Sequence, residues 1–203
     1  MRIIGLTGGI GMGKSTAAAA FRRARIPVFD ADLTVHRLQA RGGRAVKAIE
    51  AAFPGTTRDG AVDRAALRQA VLRDRAALGR LEHILHPMVE DEERRFVQRA
   101  RRRRCRAVVL DIPLMFEVNG DKRVDTVVVV SAPLAVQIHR VGLRRRMSKA
   151  DIAAIIARQM PDAEKRRRAD VVVKTGLSRA HTLRILRRFI QGLADEPKRP
   201  LRH

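Results

Sequence analysis

The chain has 203 residues, 45% of them apolar, with six Phe and neither Trp nor Tyr; this suits one domain with an insertion and a core of Ala, Leu, Ile and Val, and argues against an aromatic base-stacking surface. Lys and Arg total 43 against 21 Asp and Glu, a net charge of +22, which either attracts phosphorylated small molecules or nucleic acid, or reflects arginine spread over solvated helix faces. The one cysteine, Cys105, excludes an internal disulfide and a thiol metal site, and no run of 18 apolar residues and no leader-like start occurs, so a soluble cytoplasmic protein is expected.

Residues 3–7 are a short apolar run closing on glycines, which reads as a buried strand. The Ala-rich stretch 15–23 reads as a helix. Residues 27–30, Pro-Val-Phe-Asp, read as a second strand ending on a carboxylate. A helical stretch over 33–53 breaks at Gly42 and Gly43, and 54–60 reads as a loop. Residues 62–104 show no strand pattern. Asp63 and Asp74 can each cap a helix there, and Pro87 can open a third. Residues 107–112 and 126–131 are continuous apolar runs, as parallel strands covered on both faces should be. Helices are expected over 133–145 and 149–160, and a fifth short strand over 171–173. A last helix follows, capped by Ser178, with a 3.6-residue apolar period. Residues 195–203 are polar and should fray.

Strands alternating with helices imply an α/β fold with a five-stranded parallel sheet and right-handed crossovers. The expected division is a core of residues 1–61 and 105–203, with a lid at about 140–165, and an all-helical insertion at 62–104 that is the natural substrate lobe.

Residues 8–15, Gly-Gly-Ile-Gly-Met-Gly-Lys-Ser, match G-x-x-x-x-G-K-[ST] between a strand and a helix. The glycines let backbone N–H groups converge on phosphate oxygens, and the helix N-terminus adds partial positive charge. Lys14 reaches the β- and γ-phosphates, and the Ser15 hydroxyl ligates Mg²⁺. The motif implies a P-loop NTPase fold that binds a nucleoside triphosphate, without naming the phosphate acceptor.

Asp30 and Asp32 follow the second strand, where ligands of open α/β sheets bind. Asp32 either orients the attacking hydroxyl and takes its proton, or caps the next helix; local sequence does not separate the two. Asp111 ends a hydrophobic strand and resembles a carboxylate that holds Mg²⁺, or else caps the turn before Pro113. Glu117 could bind substrate or a lid arginine. Arg140 and Arg144 share one helical face and suit a lid over a triphosphate, or a solvated basic face. Arg158 and Lys165 are weaker lid candidates. His83 and His86 have no metal-ligand companions.

These motifs together resemble the dephospho-CoA kinase family. The resemblance rests on the stretch Gly5 to Thr16, on Asp30-Ala-Asp32, Leu85-His-Pro87 and Asp111-Ile-Pro-Leu-Met-Phe-Glu117, then on Gln137, Arg140, Arg144, Arg158-Gln-Met160, Lys165 and Ala169-Asp170. It spans almost the whole chain. It implies an ATP-binding core, a helical substrate domain and a lid. It also implies ATP with Mg²⁺, and phosphoryl transfer to the ribose 3′-hydroxyl of dephospho-CoA. Gly8, Gly9, Ile10, Gly11, Met12, Gly13, Lys14, Ser15 and Thr16 would hold ATP, with Ser15 and Asp111 on the metal. Asp32, Lys14, Arg140 and Arg144 would be catalytic. Thr7, Asp32, His86, Pro113, Leu114 and Glu117 would bind the acceptor. No obligate nucleic acid or membrane partner is implied, and a monomer or weak homo-oligomer is expected. The alternatives are another P-loop nucleoside or metabolite kinase, and a basic nucleic-acid-binding P-loop ATPase.

The chain departs from the family pattern at four places, one of them Arg145 and Arg146, which make the lid more basic than the common pattern. Met12 stands where Ser is usual, at a position offering mainly its backbone N–H. Met115 replaces a usual Leu. Lys174-Thr175-Gly176 stands where many members carry Asn before Gly near the adenine, which leaves the base-contacting residue open.

Overall fold

The computed structural model describes residues 1–72, 74–145, 152, 156–157 and 159–193, with residues 144 and 145 described in their backbone alone. In chain order the elements are β1 (Arg2–Thr7), α1 (Lys14–Arg23), β2 (Val28–Asp30), α2 (Ala31–Gln39), α3 (Val46–Ala52), β3 (Thr57–Arg58), β4 (Ala61–Val62), α4 (Arg64–Leu72), α5 (Arg75–Arg102), β5 (Ala107–Asp111), a 3-10 turn (Gly120–Arg123), β6 (Thr126–Ser131), α6 (Leu134–Arg145), α7 (Asp162–Arg168), β7 (Val171–Lys174) and α8 (Arg179–Gly192).

The chain forms two compact units, one of residues 1–29 and 100–203 and one of residues 30–99. In the first, a five-stranded parallel sheet runs in the order β2-β5-β1-β6-β7. Its central strands are β-branched and aliphatic because both faces are covered. One face is Ile4 and Leu6 of β1, Val109 of β5, Val128 and Val130 of β6, and Val173 of β7. It packs with Ala17 and Phe21 of α1 and Leu186 and Ile190 of α8. Small residues at 17, 18 and 20 let α1 lie close to the sheet. Phe21, fully buried, meets Phe189 edge to face at 6.2 Å, and its burial contributes about 2–3 kcal/mol. The parallel register sets Leu6 beside Asp111 and Thr7 beside Val129. That places the loop after β1 between the carboxyl ends of β5 and β6, where open α/β sheets bind ligands.

The second unit has its own core of Leu38, Ile49, Phe53, Leu67, Leu81 and Leu85. The sequence reading placed residues 30–61 with the nucleotide core, whereas the contacts group them with the helices that follow. Asp63 Oδ1 accepts from the N–H groups of Ala65 and Ala66, and Asp74 Oδ1 from that of Ala76, so both expected caps form.

Two expectations fail here. Residues 57–62 are an antiparallel hairpin, not loop and helix. Asp59 and Gly60 both take positive φ, 52° and 76°, and Thr57 pairs with Val62. Asp-Gly between short extended pieces is the usual signal for such a two-residue turn. Pro87 does not open a helix but sits inside α5, a continuous helix of 28 residues. Proline removes one backbone bond there, and Leu81, Leu85, Met88 and Val89 hold both sides of the gap on the core. Among the described residues no helix is long and apolar enough to cross a membrane.

Candidate active site

Residues 8–13 turn from β1 into α1. Gly11 and Gly13 take φ of 73° and 91°, a region costly for residues with a Cβ. A Cβ at Gly13 would also lie 3.2 Å from Thr175 Oγ1. Within the loop, Met12 N–H donates to the Gly9 carbonyl at 3.2 Å and Ile10 N–H to Gln159 Oε1 at 3.2 Å. The N–H groups of Gly11, Gly13, Lys14 and Ser15 have no acceptor among the described residues, and no side chain caps α1. Four open donors at a helix N-terminus make an anion site.

Lys14 Nζ lies 2.7 Å from Asp111 Oδ1. Asp111, 3% exposed, is the last residue of β5, so the sheet register itself delivers the carboxylate to the loop's lysine. Ser15 is exposed in the first turn of α1, and its hydroxyl has no partner among the described residues. The Met12 side chain is buried in the core beside α1. The departure from Ser is therefore a packing matter at this position.

Thr7, expected near the acceptor, has no exposed surface. Its hydroxyl donates to the Pro113 carbonyl at 2.9 Å, so it ties β1 to the loop after β5. In that loop Pro113 is partly covered, and Leu114 stands 41% exposed. Met115 fills the space beside Gly5, where a Cβ would come 2.6 Å from its sulfur.

Glu117 is bound to the chain's own groups. Its Oε1 accepts from Met160 N–H at 2.9 Å and lies 3.0 Å from Lys165 Nζ. Burial alone would raise this carboxyl. The Met160 N–H and Lys165 outweigh it and hold the carboxyl below the ordinary carboxylate value. Lys165 is 1% exposed, and its Nζ faces Glu117 as an ion pair without an aligned hydrogen bond. Lys165 sits on α7, which sequence reasoning missed. The signal was Pro161 followed by acidic residues in the first turn and basic ones in the last.

Arg140 faces the phosphate loop. Its Nη1 donates to the Gly11 carbonyl at 3.4 Å and to Thr175 Oγ1 at 3.1 Å, and its Nη2 to the Thr175 carbonyl at 2.7 Å. Arg144 lies in the last turn of α6, and its side chain, like Arg158 and residues 146–151 and 153–155 of the lid expected at 140–165, falls outside the described residues.

In the second unit, Asp30 is the helix cap: its Oδ1 accepts from Leu33 N–H at 2.9 Å. Asp32, in the first turn of α2, is exposed and has no partner among the described residues. Of the two roles open to Asp32 in the sequence, capping therefore falls to Asp30. His86 lines a groove of about 440 Å³ on α5 with Gly79, Glu82, His83, Pro87 and Glu90.

An open N–H cradle at the carboxyl end of a parallel strand, with its lysine paired to a carboxylate on the neighbouring strand, defines a P-loop nucleotide-binding fold. A family model described as dephospho-CoA kinase matches residues 2–179. A protein named dephospho-CoA kinase from Bradyrhizobium diazoefficiens is 52% identical over 203 residues, covering 100% of this chain and 99% of its own. One of the same name from Paramagnetospirillum magneticum is 60% identical over 166 residues, 82% of this chain and 78% of its own. The crystal structure of TT1252 from Thermus thermophilus is 35% identical with a TM-score of 0.81, covering 97% of this chain and 98% of that one. The chain belongs to the dephospho-CoA kinase family.

Proposed function

We propose that the chain transfers the γ-phosphoryl group of ATP to the ribose 3′-hydroxyl of dephospho-CoA, giving coenzyme A and ADP. The observation that carries this reading is the cradle of N–H groups at Gly11, Gly13, Lys14 and Ser15, without acceptors among the described residues, next to the Lys14–Asp111 pair. Family membership supplies the acceptor.

The phosphate chain takes the four open donors, and Lys14 turns from Asp111 to the β- and γ-oxygens. Electrostatic stabilisation of this kind carries most phosphoryl transfer. The acceptor oxygen bonds to the γ-phosphorus as the bond to the bridging oxygen of ADP breaks, and the hydroxyl proton passes to Asp32. Asp32 suits that role because it follows the carboxyl end of β2, is exposed, and is not used as a cap. Ser15 and Asp111 offer hard oxygen donors, the chemistry Mg²⁺ selects; when bound, the ion neutralises charge on the phosphate oxygens. Residues 30–99, with His86, hold the acceptor. Glu117 and Thr7 act through the loop that carries Pro113 and Leu114. Arg140 steadies the phosphate loop, and Arg144 belongs to the lid.

A coupled assay of ATP consumption tests this, with dephospho-CoA, adenosine, AMP and no acceptor compared side by side. Turnover with dephospho-CoA alone is expected. Equal turnover with adenosine or AMP sinks the assignment of the acceptor.

A further inference from the structure

We infer that Thr175 is a positioning residue for the phosphate loop, setting the direction of one of its open N–H groups. Thr175 follows β7 and is 4% exposed. All its polar groups are used. Its N–H donates to the Ser131 carbonyl at 2.8 Å, and its carbonyl accepts from Arg140 Nη2 at 2.7 Å. Its hydroxyl donates to the Met12 carbonyl at 2.7 Å while accepting from Arg140 Nη1 at 3.1 Å.

The bond to Met12 matters because a trans peptide is planar, with C=O and N–H pointing opposite ways. Fixing the Met12 carbonyl on Thr175 therefore aims the Gly13 N–H away from Thr175. That N–H is one of the four open donors of the cradle. Met12 is held from its other side too: its N–H reaches Gly9, and its side chain is in the core. Gly13 lies so close to Thr175 that a Cβ would crowd the threonine hydroxyl. Without the Thr175 hydroxyl this peptide plane is free to rock, and the phosphate must order it on binding. Arg140 completes the device by orienting the same hydroxyl. The effect is directed at the nucleotide's phosphates and not at the acceptor.

This inference rests on the reading of the loop as the ATP site. Thr175→Val keeps the shape and removes the hydroxyl, and Thr175→Ser keeps the hydroxyl. ADP binding is measured by titration calorimetry, and KM by varying ATP and dephospho-CoA separately. One buried hydrogen bond predicts about tenfold weaker ADP binding and about tenfold higher KM for ATP in Thr175→Val. KM for dephospho-CoA should stay within about twofold, and Thr175→Ser should recover most of the loss. Wild-type ADP affinity in Thr175→Val, equal loss in the valine and serine variants, or a matching rise in both KM values overturns the inference. If the valine variant does not fold, Thr175→Ala, which adds no bulk, takes its place with the same readouts. A wild-type chain that binds ADP without phosphorylating dephospho-CoA defeats the proposed acceptor, and the calorimetric comparison still decides Thr175. A wild-type chain that binds no ADP defeats both.

Discussion

Replacing Glu117 by Gln tests how the segment leading into α7 is fastened to the loop after β5. The change keeps the side-chain shape and an oxygen for Met160 N–H, but removes the charge facing Lys165. Lys165 is 1% exposed, so its ammonium is left without a counter-charge where water does not reach. Breaking one side of a buried pair costs about 3–5 kcal/mol. The Glu117 side chain keeps 23% exposure, and screening lowers the figure to about 2–3 kcal/mol. For a chain of this size that is a fall in Tm of about 4–12 °C. Thermal and urea melts of wild type, Glu117→Gln, Lys165→Met and the double variant measure it. The double variant should regain most of the loss, because no buried charge remains unpaired. If the two single losses simply add, the charges do not act on each other and the reasoning is wrong. The pH dependence has a definite sign. The carboxyl is held low in the folded chain, so the unfolded chain binds more protons as pH falls. The stabilisation is complete above the ordinary carboxylate value of about 4.3 and is lost as pH drops through the lower folded value. The gap between wild type and Glu117→Gln should therefore be flat near neutrality and close in acid.

Asp32→Asn should leave ADP affinity within about twofold while cutting turnover by about 10²–10⁴-fold, the range for a general base; unchanged turnover in the coupled assay removes Asp32 from the mechanism. Lys14→Ala should weaken ADP binding in calorimetry and depress turnover as well, because Lys14 both binds and stabilises charge; full ADP affinity in that variant contradicts the assignment. Gly13→Ala places a Cβ at φ 91° beside Thr175, at a cost of about 1–2 kcal/mol, and should lower Tm and ADP affinity together; a rise in Tm contradicts the backbone argument.

The parts legible in the sequence are those whose signal is local. The loop over residues 8–15 carries its own motif, and the strands at 107–112 and 126–131 announce themselves as unbroken apolar runs. Asp63, Asp74 and Ser178 were readable as caps because a cap acts within three residues. Pro87 misled because a helix breaker is judged locally, while the continuity of α5 depends on a core that the local sequence does not display. The hairpin at 57–62 was readable from Asp-Gly but too short to show alternation. At the site, Lys14 and Asp111 are 97 residues apart, yet Lys14 closes the loop that follows β1 and Asp111 ends the neighbouring β5, so their meeting follows from strand order. The contacts of Thr175, Glu117 and Lys165 do not. They depend on which loops the sheet topology brings side by side, and a fully buried lysine on the seven-residue α7 has no distinguishing sequence mark.

Phe21, near the end of α1, lies in the same core as β1, β5, β6, β7 and α8, while the beginning of α1 is the phosphate cradle. Occupancy of that cradle should therefore be readable as heat resistance of the whole sheet unit. A ligand at a hundred times its Kd adds about 2.7 kcal/mol to the folded state, which for a chain this long is a rise in Tm of about 5–11 °C. A simple melting assay across nucleotides can rank what the loop prefers to hold before any turnover is measured.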